Sequence, residues 1–366
     1  MFQNGEAGWH RFLPQSQEGD VGSLFAAAHS ACSVLITGAG GSIGSALAQA
    51  LARAGVRRLV LLDSSEARLN GIQRRLAQTP APVEMALGSI DDAGFVDTLL
   101  SRHRVDVVYH AAAWKHVPQL ESNPFSAVRN NALGTFTLAQ SALRAGVPSV
   151  TLISTDKAVN PRSIMGASKR IAELAVTSLS DPACRMNAVR LCNVIGSSGS
   201  VVPIFLEQIG RRQPLSVTDP RASRWFLTTQ EAVGAILGCG VSGQHGKILL
   251  PPVGLPVRIA ELAEFLIRSA GSAAEISYIG LRPGEKLTEE LVFESEREVG
   301  TVGSLRVLET SRLDRGELTG LFADLGSSIQ LSDLSGLLRA VGRAIPEYVP
   351  SSQLLGQVVA AAGATA

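Results

Sequence analysis

From Ser33 to Leu191 the chain alternates short apolar runs with stretches of helical spacing, and this constrains the fold more than any other feature. The apolar runs are "SVLIT", "RRLVLLD", "APVEMAL", "VDVVYHAAA", "SVTLIST" and "CRMNAVRL". Between them lie "SIGSALAQALARAG", "EARLNGIQRRLAQ", "DDAGFVDTLL", "NPFSAVRNNALGTFTLAQSALRAG" and "SIMGASKRIAELAVTSL", which read as helices. Strands that are apolar throughout are buried on both faces. Their alternation with helices predicts an α/β fold, a doubly wound parallel sheet with helices on each side.

After about residue 192 the alternation weakens, and loops such as "GSSGSVVP", "PPVGLP" and "LRPGEK" separate shorter helices. The expected organisation is a lead-in over 1–30, a larger α/β domain over 31–192, a smaller and partly intertwined domain over 193–350, and a frayed tail over 351–366. The smaller domain is expected to close over the carboxyl ends of the strands.

The first strand runs into "TGAGGSIG", residues 37–44, which opens the first helix. Gly38, Gly41 and Gly44 allow a tight turn and a close approach of backbone to a pyrophosphate. Ser42 and Ile43 lie in the first turn of that helix, whose free N–H groups favour an anion. Asp63 ends the second strand, where a carboxylate accepts hydrogen bonds from ribose hydroxyls and repels a 2′-phosphate. The pattern is that of a Rossmann-type domain and favours NAD over NADP. Asp91, after the third strand, either faces the adenine or caps the following helix. Ala111 and Ala112 close the fourth strand beside the same site.

Lys plus Arg number 33 and Asp plus Glu 32, so no polybasic field points to nucleic acid. No apolar run reaches the roughly 18 residues of a membrane span, and the N-terminus lacks a signal-peptide core. Cys32, Cys184, Cys192 and Cys239 form no CxxC pair and read as free thiols of a reducing compartment, so a soluble cytoplasmic protein is expected. No metal site is expected.

Chemistry is expected in "STDKAVNPRSIMGASKR", residues 154–170, because open α/β sheets place ligands at the carboxyl ends of their strands. Met165 and Lys169 stand at i and i+4 and share a helix face. With "VLITGAGGSIGS", "HAAAWKHVPQLESNPFSAVRNNALGT", "NVIGSSGSVVPIF" and "IGLRPGEKLTEEL" in order over roughly 33–300, the chain resembles the nucleotide-sugar 4,6-dehydratases of the polysaccharide-biosynthesis branch of the extended short-chain dehydrogenases. The best-known members act on UDP-N-acetylglucosamine.

The resemblance implies that C4 of the sugar is oxidised at the expense of NAD⁺, the acidified C5 proton is removed, the C6 hydroxyl leaves as water, and C6 is then reduced. It implies Asp156 as the C6 acid, Lys157 as the C5 base, Thr155 as a hydrogen-bond donor to O4, and Lys169 on the nicotinamide ribose. These roles of Asp156 and Lys157 are exchangeable. A base lysine must lose its proton; burial, a nearby Lys169 and the nicotinium charge are expected to push that way, and Asp156 to pull the other way. Family members usually carry tyrosine four residues before the lysine; here Met165 fills the place, as in several members, and the tyrosine's work passes to Thr155 and solvent.

The resemblance also places Asn193 and Arg282 near the UDP diphosphate, with Glu285 in the same loops. Lys115 approaches the sugar or the cofactor, and Arg258 either joins the site or belongs to the surface. Departures are Trp114, where the family has tyrosine, and "RLCNV" in place of "RFGNV". Expected partners are a UDP-sugar and a second copy of the chain, associating through the helices over 123–146 and 163–179. Two further readings stand beside the dehydratase: a nucleotide-sugar C4 epimerase, and a non-catalytic NAD-sensing module.

Overall fold

The computed structural model describes Phe25 and residues 27–364, with side chains as far as residue 360. Most of the 1–30 lead-in therefore lies outside the described residues. The first six strands are β1 (Ser33–Thr37), β2 (Arg58–Asp63), β3 (Val83–Leu87), β4 (Val107–His110), β5 (Ser149–Thr155) and β6 (Arg185–Leu191). They pair in parallel in the order β3-β2-β1-β4-β5-β6. All five residues of β1 are buried, as continuous apolarity requires of a central strand. Its side chains alternate between faces: Leu35 joins one core, Val34 and Ile36 the other.

The connecting helices are α1 (Ser42–Arg53), α2 (Glu66–Arg75), α3 (Ala93–His103), two short ones, α4 (Val117–Glu121) and α5 (Pro124–Val128), then α6 (Gly134–Ala145) and α7 (Ile164–Leu179). The segment 123–146 is not the single helix its periodicity suggests. A π turn over Arg129–Leu133 separates α5 from α6. It turns Asn131 inward, where the side-chain oxygen accepts from Trp114 N at 2.9 Å and the amide donates to Trp114 O at 2.9 Å and to Ser168 Oγ at 3.0 Å. The break fastens the "AAAWKH" loop to α7.

Residues 193–350 divide in two. The first part is a small lobe: β7 (Asn193–Val194), α8 (Val201–Gly210), β8 (Leu215–Val217), β9 (Ser223–Arg224) and β10 (Phe226–Leu227). After α9 (Thr229–Val241) and β11 (Ile248–Leu250), the lobe is completed by β12 (Val257–Arg258), α10 (Ile259–Ser269) and β13 (Ile276–Tyr278). It has its own core around Phe205, Val217, Leu262 and Leu266. The second part joins the main sheet. β11 pairs in parallel with β6, and β15 (Leu305–Glu309) and β14 (Arg297–Val302) follow antiparallel, giving nine strands. The boundary at 192 therefore marks the end of the first parallel run, not the end of the sheet.

Helices α11 (Arg315–Gln330) and α12 (Leu334–Ala344) pack across α5, the π turn and α7. Phe322 of α11 stacks on Phe136 of α6, with ring centroids 3.9 Å apart. This corrects the expected pairing surface. Every residue of α7 but Ser178 is buried within the chain, and α6 is partly covered by the same helical pair. The tail expected to fray instead forms α13 (Ser352–Ala364), with Leu354 fully buried and Gln357 Nε2 donating to Glu121 O at 3.1 Å.

Candidate active site

The glycine loop between β1 and α1 is shaped by contacts that admit no side chain. Gly38 has φ +63°, and a Cβ there would stand 2.7 Å from Ala112 Cα and N. A Cβ on Gly44 would stand 2.3 Å from Gly38 O, and one on Gly40 2.3 Å from Arg68 Cβ. Gly41 is the N-cap of α1 and contributes no side-chain cap, which leaves first-turn N–H groups for a ligand's oxygens. Ala111 N donates to Thr37 O at 3.1 Å and Ala112 N to Thr37 Oγ1 at 3.2 Å, so both alanines abut the loop. Ser42 Oγ accepts from Ser198 N at 3.0 Å and ties the loop to the small lobe, with Ile43 beside it. This cradle fits a dinucleotide pyrophosphate.

Asp63 is buried at the end of β2 and already has two partners. Oδ2 accepts from Gly40 N at 2.9 Å and Oδ1 from Ser65 N at 3.0 Å. A carboxylate has about four acceptor sites, so ribose hydroxyls still find room. The same side chain that would read the ribose thus props the glycine loop. Asp91 is exposed, and the cap of α3 is its neighbour Asp92, which accepts from Phe95 N at 3.0 Å.

At the carboxyl end of β5 the chain enters a short 3-10 turn, Asp156–Ala158. Asp156 is fully buried. Its Oδ1 accepts from Thr155 Oγ1 at 2.9 Å and Lys157 Nζ at 3.0 Å, while Oδ2 is buried without a partner. Lys157 Nζ also donates to Asn193 Oδ1 at 3.3 Å and stands 3.5 Å from Glu289 Oε1. Three acceptors therefore surround a group that, as an ammonium, has three hydrogens to give. Burial pulls the Lys157 pKa down, but Asp156 and Glu289 outweigh it and Arg224 opposes them, so the net direction is upward. The opposing pull of Asp156 is as expected and Glu289 adds to it, but the cation acting on Lys157 is Arg224 rather than the expected Lys169.

Lys169 is buried one turn beyond Met165. Burial lowers its pKa to about 8, against the pull of Glu173. Its charge and burial together keep His110 neutral, with a pKa of about 3, burial being the larger cause. His110 is held between Thr37 Oγ1 at 2.7 Å and Thr135 Oγ1 at 2.8 Å. Met165 is also buried and belongs to the core cluster under α7. Close packing explains the approach of α7 to the turn: a Cβ on Gly166 would meet Lys157 O at 2.2 Å.

The other candidates spread along the rim. Lys115 Nζ donates to Ser197 Oγ at 3.4 Å; desolvation, then Lys157 and Arg68, lower its pKa. Arg282 and Glu285 chiefly bind each other, Nε to Oε1 at 2.9 Å, on the exposed "RPGEK" loop. Arg258 is exposed and 4.0 Å from Glu261, so the structure does not bring it to Asp156 and Lys157. Trp114, at a position where the resemblance has tyrosine, leaves its ring half exposed near Lys115.

Several residues escaped the sequence reading. Glu289 and Lys286 follow "RPG" in a loop without periodicity, and Lys286 Nζ donates to Val159 O at 2.7 Å. Arg224 donates to Leu287 O at 2.9 Å and to Lys286 O at 2.8 Å, holding that loop over the end of β5. Arg68 stands against Gly40. No local pattern marks any of these.

The sheet order, glycine cradle and Thr155–Asp156–Lys157 turn define an extended short-chain dehydrogenase/reductase. The chain belongs to the polysaccharide biosynthesis protein family, whose model matches residues 34–306. It is 41% identical over 271 residues to the capsular polysaccharide biosynthesis protein CapD of Staphylococcus aureus, covering 72% of this chain and 45% of that protein. The chain thus spans about half the length of that relative. It is 32% identical over 269 residues to a UDP-glucose 4-epimerase of Rickettsia canadensis, covering 71% and 77%. Among solved structures, Pen from Bacillus thuringiensis superposes with a TM-score of 0.73 at 27% identity, covering 78% of this chain and 92% of that one. DesIV, a dTDP-glucose 4,6-dehydratase from Streptomyces venezuelae solved with NAD bound, superposes with a TM-score of 0.64 at 25% identity, covering 71% and 88%.

Proposed function

We propose that the chain is an NAD-dependent nucleotide-sugar 4,6-dehydratase whose substrate is a UDP-N-acetylhexosamine, UDP-N-acetylglucosamine first. The observation that carries this reading is the Asp156–Lys157 pair at the end of β5, its carboxylate buried and one carboxylate oxygen without a partner. An elimination across C5 and C6 needs an acid and a base side by side. NAD, when bound in the glycine cradle, supplies the oxidising and reducing equivalents at C4 and C6.

The residues perform the rest. Thr155, whose hydroxyl donates to Asp156 Oδ1 here, would turn that hydrogen to O4 when the sugar is bound. Lys157 Nζ and Asp156 Oδ1 are 3.0 Å apart, so one proton shift along that bond turns an ammonium–carboxylate pair into the amine and acid the elimination requires. Excluding water favours the neutral pair, because separated charges are costly in a dry site. Lys157 then takes the C5 proton, the electron pair forms the C5–C6 double bond, and Asp156 protonates the departing C6 oxygen. Met165 has no proton to transfer and fills space beside the reacting ring. The free, mostly buried thiols support a reducing, cytoplasmic setting.

A C4 epimerase is the second reading, favoured by the Rickettsia relative of that name. It leaves the acid at C6 without work and asks Met165 to stand where a proton carrier is normally found. Incubation with UDP-N-acetylglucosamine and mass spectrometry separates them. Loss of one water supports the dehydratase, an isomer of unchanged mass supports the epimerase, and no turnover of any sugar nucleotide removes both.

A further inference from the structure

We propose that Glu289 is the carboxylate that sets Lys157 as a base: a positioning residue that acts through the lysine and stabilises the ammonium formed when the C5 proton arrives. The inference rests on the dehydratase reading for its catalytic meaning, but its geometry stands apart from it. Glu289 is 4% exposed, and its Oε1 lies 3.5 Å from Lys157 Nζ. It reaches the site from the loop after "RPGEK", over a hundred residues along the chain from Lys157.

A carboxylate buried at this depth is costly unless cations compensate it. Arg224 Nε lies 3.8 Å from Oε1 and Lys286 Nζ 3.8 Å from Oε2, and Oε2 has no hydrogen-bond partner. Glu289 thus lies among three cations and directs one oxygen at Lys157. The groups facing Lys157 are Asp156 on its own turn, Glu289 from the loop, Arg224 from β9, Lys115 from the loop after β4, and the Cys192 thiol beside β6, kept protonated chiefly by burial; Lys286 faces Glu289 and Asp156. Of the two acids, Asp156 must carry the proton for C6. Glu289 remains charged through the step, which is the task of the third, orienting carboxylate in hydrolytic triads.

The test measures Lys157 itself. Acetic anhydride labelling of Nζ in the full chain, read by peptide mass spectrometry across pH, reports where the amine becomes free and needs no turnover. An opposite charge at this distance shifts a pKa by about one to three units. Glu289→Gln should therefore lower the labelling midpoint by at least about one unit. In turnover assays the alkaline rise of kcat should move to lower pH with a reduced plateau, since a weaker base is formed. Glu289→Asp, which keeps the charge but withdraws it, should shift the midpoint less and in the same direction. It decides the matter if the glutamine variant does not fold. An unmoved midpoint in both variants overturns the proposal, even where activity falls. A moved midpoint in a chain that dehydrates no sugar nucleotide upholds the coupling and removes the dehydratase reading instead.

Discussion

Gly166→Ala sets two effects of known sign against each other. In a helix interior alanine is better than glycine by roughly 1 kcal/mol, so propensity alone predicts a more stable protein. Gly166 lies in the first turn of α7, however, and its added Cβ would stand 2.2 Å from Lys157 O and 3.1 Å from Lys157 C. The obstacle is backbone, which cannot rotate aside. Restoring an ordinary contact needs about 1 Å of separation between α7 and the Asp156–Ala158 turn. Overpacking of this kind costs about 1–3 kcal/mol, which offsets or exceeds the propensity gain. The expected stability change runs from near zero to about 2 kcal/mol of loss.

Activity should respond more strongly. Asp156 and Lys157 lie on one side of the widened contact, Met165 and Lys169 on the other. A 1 Å misplacement of reacting groups costs up to about 10²-fold. We expect kcat to fall between about ten- and a hundredfold, with NAD affinity changed little because the glycine cradle is untouched. Urea unfolding, NAD titration and steady-state turnover measure the three quantities. A variant with undiminished kcat and a raised unfolding midpoint would refute the packing argument.

Asp63→Ala should weaken NAD binding and relax discrimination against NADP, and should also loosen the loop that Asp63 props through Gly40 N; an unchanged NAD/NADP preference removes Asp63 from the cofactor site. Lys157→Met should bind NAD and UDP-sugar yet lose at least about 100-fold in kcat, with no solvent deuterium entering C5, whereas Asp156→Asn should permit C5 exchange and block water loss. The opposite exchange pattern reverses the two roles. Lys169 makes stability rise with pH between about 8 and its ordinary value of 10.5, because there the unfolded chain holds a proton that the native chain has released. Denaturation midpoints of wild type and Lys169→Met across that window should differ in slope, and parallel curves would contradict the assignment.

The parts of this molecule written locally were legible in the sequence. β1 and β5 have the boundaries their apolar runs suggest, because each run is continuous and ends at a glycine loop or the Asp156–Ala158 turn. Asp63 ends β2, and Asp156 and Lys157 follow β5, where the apolar runs stop, while Asn193, expected near a diphosphate, is bonded to Lys157. Contacts between distant segments were not legible. Glu289 and Arg224 approach Lys157 only because the small lobe folds back over β5, and nothing in "KLTEEL" announces a buried carboxylate. The π turn within 123–146 keeps a helical spacing of apolar residues and so hides its one unusual register. β11 has only three residues, β14 is largely exposed, and β14 and β15 lie far from β6 in sequence, so local patterning does not assign them to the main sheet.

A buried network explains how those distant segments stay in place. Arg190, fully buried on β6, is bonded to Glu173 of α7 at 2.9 Å and to Glu296 before β14 at 2.8 Å. Ser154 Oγ, one residue before Thr155, donates to the same Glu173 at 2.6 Å. The network thus joins β5, α7, β6 and the returning chain by ion pairs and hydrogen bonds.

The α11–α12 pair has a consequence for how this fold depends on concentration. A flat helical face that is completed by another molecule is whole only while that molecule is bound, and its integrity falls on dilution. Here the covering helices are tethered to the sheet they complete by a few residues after β15, so the cover is present at a fixed local concentration. The helix that carries Met165 and Lys169 is thereby covered by segments of its own chain.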